Sequence, residues 1–275
     1  MIEQLSTIFS YEFMRNALIA SFWISLATGI IGTLVVLNRI VSLSGGIAHA
    51  AYGGVGISYF LGQDPMIGAL AFSTISAIVM GIAHRKSKSG ADTLISVMWS
   101  IGMAIGIIFI SLTPGYKANL MSYLFGSILA VSNSDLILMA IIALLILAFV
   151  FLTYRSLLAI SYDETFSAVR NLPVSALYLT MLVLVGLTVV VAMRMVGLIL
   201  VIALISIPPA ISLNLFKDVR LVMLSSFLFS VLFCFLGLVI SFQTNIQAGP
   251  VIILLAAFAY LLSSLVKHFR HPKKI

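Results

Sequence analysis

Among histidine and the formally charged residue types, His49 alone lies well inside a long apolar run of this chain. It sits in Ser44-Gly45-Gly46-Ile47-Ala48-His49-Ala50-Ala51-Tyr52-Gly53-Gly54-Val55-Gly56. Small residues around an imidazole let another backbone come close and leave room for a ligand. Neutral imidazole is a common ligand for transition metals. One histidine is a poor site by itself, whereas a transient site shared by a symmetric dimer would have two. Two readings stand, a metal ligand and a histidine hydrogen-bonded inside a helix bundle. The other histidines carry less: His84 joins a basic cluster, and His268 and His271 lie in the basic tail. The twelve methionines are scattered and read as core packing.

A second constellation is Arg155-Ser-Leu-Leu-Ala-Ile-Ser-Tyr-Asp-Glu-Thr-Phe-Ser-Ala-Val-Arg-Asn-Leu-Pro173. Tyr162, Phe166 and Val169 recur at helical spacing beside Asp163, Glu164 and Arg170. A short amphipathic helix would present one apolar and one charged face. The paired acids would be repelled by an anionic leaflet, so a protein partner suits this helix better than lipid headgroups. A third feature is Pro208-Pro209 inside an apolar run. Proline frees backbone carbonyls and bends a helix, as a hinge on a pathway or as a static kink. Gly102-x-x-x-Gly106 invites close helix packing. Several chemistries are missing. The sequence has no G-x-x-x-x-G-K-[ST] phosphate loop, no H-E-x-x-H and no Cys/His cluster at zinc spacing.

The elements that position these residues follow from composition. The 275 residues are 62% hydrophobic and 8% charged, with a mean hydropathy of +1.22. So few charges cannot cover a soluble surface. A helix needs roughly 20 apolar residues to cross the hydrocarbon core. Runs near 17–37, 47–61, 66–83, 94–112, 136–153, 174–193, 197–215, 221–242 and 251–266 meet or approach that length. The expectation is an all-α polytopic integral membrane protein of 8–9 transmembrane helices. It forms a single domain over 1–275, with a cytoplasmic loop at about 155–173. The second run is short and glycine-rich, which suggests a tilted, broken or re-entrant segment. Ser122–Val131 reads as a further short re-entrant or gate helix. Glu3 and Glu12 precede the first run where a cleavable signal would carry bases, so that run is expected to remain as a span.

The net charge of +7 comes from short loops, so it sets orientation and lipid contact and is no sign of nucleic-acid binding. Clusters at Arg85/Lys86/Lys88, Arg155/Arg170, Lys217/Arg220 and Lys267–Lys274 are separated by two spans each. Positive-inside places all four, with the C-terminus, in the cytoplasm. Counting back puts the N-terminus outside; eight spans with both ends inside is the other arrangement. Lys117 and Arg194 fall on the far side and are candidates for salt bridges to an external partner. All eight carboxylates sit at the edges of apolar runs. That argues against a proton- or sodium-driven carrier, which needs an acid at membrane depth.

Taken in order, several short pieces resemble the permease subunits of ATP-binding-cassette (ABC) importers for manganese, zinc and iron. They are the glycine-flanked His49 segment, Asp92-Thr93, Leu124-Phe125-Gly126-Ser127-Ile128-Leu129 with Ser134-Asp135-Leu136, and Tyr162-Asp163-Glu164-Thr165-Phe166. Val196-Gly197 with Pro208-Pro209-Ala210, and Ala248-Gly249-Pro250, complete the set. The resemblance spans nearly the whole chain. It implies a transport subunit of a prokaryotic inner membrane that is not itself an enzyme and holds no permanent cofactor. It implies a cytoplasmic ABC ATPase dimer, an extracytoplasmic metal-binding protein, a second permease copy or paralogue, and surrounding lipid. Within it, His49 is the metal-facing residue, and Asp163, Glu164, Phe166 and Arg170 belong to the coupling helix. Gly45, Gly46, Pro208 and Pro209 line or hinge the pathway. Many members carry an aspartate four residues before the histidine, where this chain has Gly45. A hard ion then loses an oxygen ligand, which Ser42, Ser44 or carbonyls would have to replace. The rivals are the same architecture carrying a metal chelate, siderophore or corrinoid, and an ATPase-independent carrier or scaffold.

Overall fold

The computed structural model describes residues 11–86, 91–114, 126–127 and 131–270. Among them ten helices and no strand occur. They are α1 (Glu12–Leu37), α2 (Val41–Phe60), α3 (Pro65–Lys86), α4 (Ala91–Leu112), α5 (Asn133–Tyr162), α6 (Glu164–Val169), α7 (Val174–Val196), α8 (Leu198–Leu215), α9 (Val219–Thr244) and α10 (Ala248–Arg270). The nine expected spans correspond one to one with the nine long helices. Seven of these are long and apolar enough to cross a membrane. Most of Ser122–Val131, together with Lys88 and Lys117, lies outside the described residues.

The acids at run edges have a local explanation. The first N–H groups of a helix have no intrahelical acceptor, and a side-chain oxygen can supply one. Asp64 accepts from the Met66 N–H at 2.8 Å, Asp163 from Phe166 at 2.9 Å and Asp218 from Arg220 at 2.9 Å. At the start of α5 a capping box forms: Asp135 N–H donates to Ser132 Oγ at 3.3 Å, and Ser132 N–H to Asp135 Oδ2 at 3.0 Å. Four of the eight acids therefore open helices. Gly197, at φ 91°, is the single residue between α7 and α8. A side chain at that φ would be strained.

The second run is not broken: α2 is one continuous helix of 20 residues. It is poor in large apolar side chains because protein surrounds it, and every residue from Leu43 to Gly56 is buried. Its neighbours are α3, α4, α7 and α8. A Cβ added at Gly102 would lie 2.5 Å from Ala50 Cα, and one at Gly53 would lie 2.9 Å from the Gly102 carbonyl oxygen. Gly56 and Gly106 meet in the same seam. The Gly102/Gly106 pair is thus used within the chain, letting α2 and α4 touch through their backbones. Helices α1, α8, α9 and α10 form a second group, and α7 packs between the two groups.

The loop expected at about 155–173 is largely helical. α5 has 30 residues, about 45 Å, so it outruns the roughly 30 Å hydrocarbon core and continues to Tyr162. Only Glu164–Val169 forms the separate short helix. Tyr162 therefore closes α5 and does not sit on α6, although Tyr162, Phe166 and Val169 are all exposed there.

Side-chain contacts gather the basic clusters at one end of the bundle. Arg85 pairs with Glu164 at 3.0 Å. Asn38 donates to Ser161 Oγ at 2.9 Å. Arg220 lies 5.1 Å from the Tyr154 ring centroid, and Lys267 donates to Asn214 at 2.8 Å. Arg194 lies at the other end of α7 with its guanidinium 3.3 Å from Asp135, whose side chain is 6% exposed. The expectation that Arg194 awaits an external acid is thereby corrected: an acid of this chain already holds it.

Candidate functional site

His49 projects from the buried α2 and is itself 8% exposed. Its ring lies flat against the indole of Trp99 on α4, with centroids 4.0 Å apart and planes 7° from parallel. Trp99 is 41% exposed and forms the outer cover of the imidazole. The Nδ1 atom of His49 is buried with no hydrogen-bond partner. A buried polar atom left unsatisfied costs about 1–3 kcal/mol, so this nitrogen is carried at some expense to the fold. The expectation of a histidine hydrogen-bonded within the bundle is not met at Nδ1.

The glycines beside it do not form an open cradle. A Cβ at Gly45 would lie 3.0 Å from Ile202 Cδ1 of α8, and one at Gly46 would lie 2.5 Å from Ile95 Cγ2 of α4. Apolar side chains occupy the space in which an acid at position 45 would stand. Ser44 donates its hydroxyl to the Val41 carbonyl at 2.7 Å. It precedes His49 by five residues, so it points about 140° away around the helix. Ser42 is about 10 Å away along the axis. Neither serine can join His49 on one ion through its own helix. Among the described residues no group of three or more His, Cys, Asp or Glu side chains converges on one point.

Pro208 and Pro209 both lie inside α8 and are buried. Pro209 cannot donate to the Ile205 carbonyl. Gly32 of α1 packs on that freed oxygen, and a Cβ there would also lie 3.1 Å from Pro209 Cγ. The missing hydrogen bond thus coincides with a close crossing of α1 and α8.

At the basic end, α6 is tied to two long helices. Asp163 caps it. Glu164 reaches Arg85 at the end of α3. Arg85 also lies 5.9 Å from the Tyr178 ring centroid on α7, and the Tyr178 hydroxyl is 3.0 Å from His84 Nδ1. His84, which in the sequence only joins a basic cluster, thus also links α3 to α7. Phe166 and Arg170 face outward, the guanidinium 5.5 Å from the ring centroid. A concavity of about 510 Å³ beside α6 is lined by Arg85, Asn171, Leu172 and Pro173 among others.

Of the residues singled out in the sequence, the structure brings Asp163, Glu164, Phe166 and Arg170 together on or beside α6, and it leaves His49 apart, deep between α2 and α4. Sequence reasoning missed Trp99, Arg85 and Tyr178. No spacing rule links positions 50 or 94 residues apart; only the basic cluster hinted at Arg85.

A model of the ABC 3 transport family matches residues 10–267. An uncharacterised membrane protein of Synechocystis sp. is 50% identical, covering 96% of this chain and 94% of its own. The manganese transport system membrane protein MntC of Listeria monocytogenes is 31% identical over 95% of this chain and 93% of its own. Among solved structures, PsaBC from Streptococcus pneumoniae in complex with Fab contains a chain similar at a TM-score of 0.86 and 31% identity. That match covers 96% of this chain and 95% of the other.

Proposed function

The chain belongs to the ABC 3 transport family, and from that premise we propose that it is the membrane-spanning permease subunit of an ABC importer for a divalent transition metal ion. Manganese is favoured over zinc and iron because the Listeria relative bears that name. One observation carries the bare-ion reading: an imidazole nitrogen is buried and unpartnered on a helix whose small residues from Ser44 to Gly56 are all packed within the bundle. Those surroundings leave little room for a siderophore or corrinoid.

Power comes from a separate cytoplasmic ATPase pair that docks on Tyr162, Phe166, Val169 and Arg170 at the basic end. Movement of α6 passes to α3 through Glu164–Arg85 and on to α7 through the His84–Tyr178 contact. α3 packs directly on α2, where Gly54 meets Gly68. A displacement at α6 thus has a contiguous packed route to the helix that bears His49. This route alternates access to the ion. Pro208 and Pro209 weaken α8 where it crosses α1, which suits a hinge, and Gly45 and Gly46 let Ile202 and Ile95 close over the path. This chain supplies no hydrolytic chemistry.

The ion is held weakly, as passage requires. A second copy or a paralogue, set against the exposed Trp99 face of α4, completes the site. The basic end and the C-terminus face the cytoplasm of a prokaryotic cell, and an extracytoplasmic metal-binding protein docks at the opposite end. The test is uptake of manganese, zinc and iron by cells carrying the full transporter, wild type against His49→Ala at matched protein levels. Selective loss for one ion, with the complex assembled and hydrolysing ATP, is the expected result. Unchanged uptake of all three would remove His49 from the pathway.

A further inference from the structure

A groove of about 750 Å³ opens sideways between α1, α5 and α9. Ile30, Val150, Leu224 and Phe227 are among its walls, and Tyr154, Arg155 and Arg220 stand toward its basic end. Phe151 on its rim is 82% exposed. Arg220 lies over the Tyr154 ring. Among the described residues neither Arg155 nor Arg220 has a carboxylate within ion-pair distance. The nearby Asp218 is engaged as the cap of α9. Val150 and Arg155 are five residues apart, about 7.5 Å along α5. An apolar slot therefore passes within two turns into a pair of unneutralised guanidinium groups.

That sequence of surfaces matches an amphipathic anion: a hydrocarbon chain for the slot and a negative charge at headgroup depth. Basic pockets between membrane helices on the cytoplasmic side favour such headgroups, and arginine binds phosphate through its fork of N–H donors. We propose that this groove seats one anionic phospholipid. Its phosphate lies between Arg155 and Arg220, and an acyl chain lies along Ile30, Val150, Leu224 and Phe227. Bound there, the lipid braces α5 against α9 at Arg155, nine residues before α6 begins.

The full chain, purified in mild detergent and stripped of lipid, is offered equal amounts of phosphatidylglycerol and phosphatidylcholine, and retained lipid is counted by native mass spectrometry. Wild type is expected to retain phosphatidylglycerol about thirtyfold over phosphatidylcholine, on the order of what two basic side chains supply at a membrane surface. Arg155→Gln with Arg220→Gln reduces the preference to twofold or less. Leu224→Trp, which fills the slot and leaves both arginines in place, lowers retention of both lipids. Equal preference in wild type and the double glutamine variant overturns the proposal. So does displacement of the lipid by free glycerol phosphate, since a bare phosphate would then suffice. Cross-linking of Phe151→Cys to a second copy in membranes would assign the groove to protein, and the buried native Cys234 stays silent in that assay.

Discussion

Replacing Trp99 by alanine is expected to weaken divalent-ion binding about two- to fivefold without abolishing it. The indole covers the face of the His49 imidazole at 4.0 Å and within 7° of parallel. The Nδ1 atom bonds outward in the ring plane, so an indole stacked on the ring face does not block it at the ring edge. An ion bound there withdraws electrons from the imidazole, which becomes the cationic partner of the indole face. Such a contact is worth about 0.5–1 kcal/mol when the aromatic is partly exposed, and Trp99 is 41% exposed. At about 1.4 kcal/mol per tenfold, that converts to about two- to fivefold. Isothermal titration of the purified full chain with manganese(II), zinc(II) and iron(II) measures it, with Trp99→Phe expected in between. A Trp23→Phe background leaves Trp99 as the only tryptophan of two, so its emission reports binding directly and should fall silent to metal in His49→Ala. Unchanged or tighter binding in Trp99→Ala would refute the reasoning, because the ion would then not use the ring edge or the indole would have to leave before it entered.

Glu164→Lys with Phe166→Ala is expected to uncouple ATP hydrolysis from uptake, and normal uptake would reject α6 as the coupling element. The Arg85–Glu164 pair is partly exposed, so Arg85→Gln should change thermal stability by about 1 kcal/mol or less while lowering uptake per ATP; the charge-reversed pair Arg85→Glu with Glu164→Arg should recover it. Asp135→Ala removes both the salt bridge to Arg194 and the capping box that opens α5 and should cost about 1–2 kcal/mol or more, read by detergent melting; a loss under about 0.5 kcal/mol would mean that neither contact holds this end of the helix. Gly102→Val drives a side chain into the Ala50 backbone and should destabilise by about 1–3 kcal/mol or more, with poor membrane yield as the visible sign.

The helices themselves were legible in one dimension. A charge-free run long enough to span, closed by Asp64, Asp135, Asp163 or Asp218, states where a helix begins, because caps and hydrophobic length are local quantities. The exposed face of Tyr162, Phe166 and Val169 was legible for the same reason. Two local readings failed at the margins. The glycine-rich α2 looked interrupted because its sequence lacks lipid-facing bulk, and the sequence does not say that protein replaces lipid on its sides. The loop after Thr153 looked separate because hydropathy falls before the helix does.

The site belongs to the other category. His49 announced itself as an imidazole in an apolar run, but whether its nitrogen was satisfied depended on neighbours from other helices. Trp99 lies 50 residues away, Ile202 fills the space above Gly45, and Arg85 meets Glu164 across 79 residues. Such contacts follow from which helix packs on which, and that choice is made by close approach at Gly53, Gly54, Gly102 and Gly32. Composition and period determined that this chain enters a membrane as a set of helices, because transfer from water depends on each segment alone. Tertiary structure decided which imidazole nitrogen stays bare and which charges are neutralised, because those depend on atoms that the chain brings together only after the helices have packed.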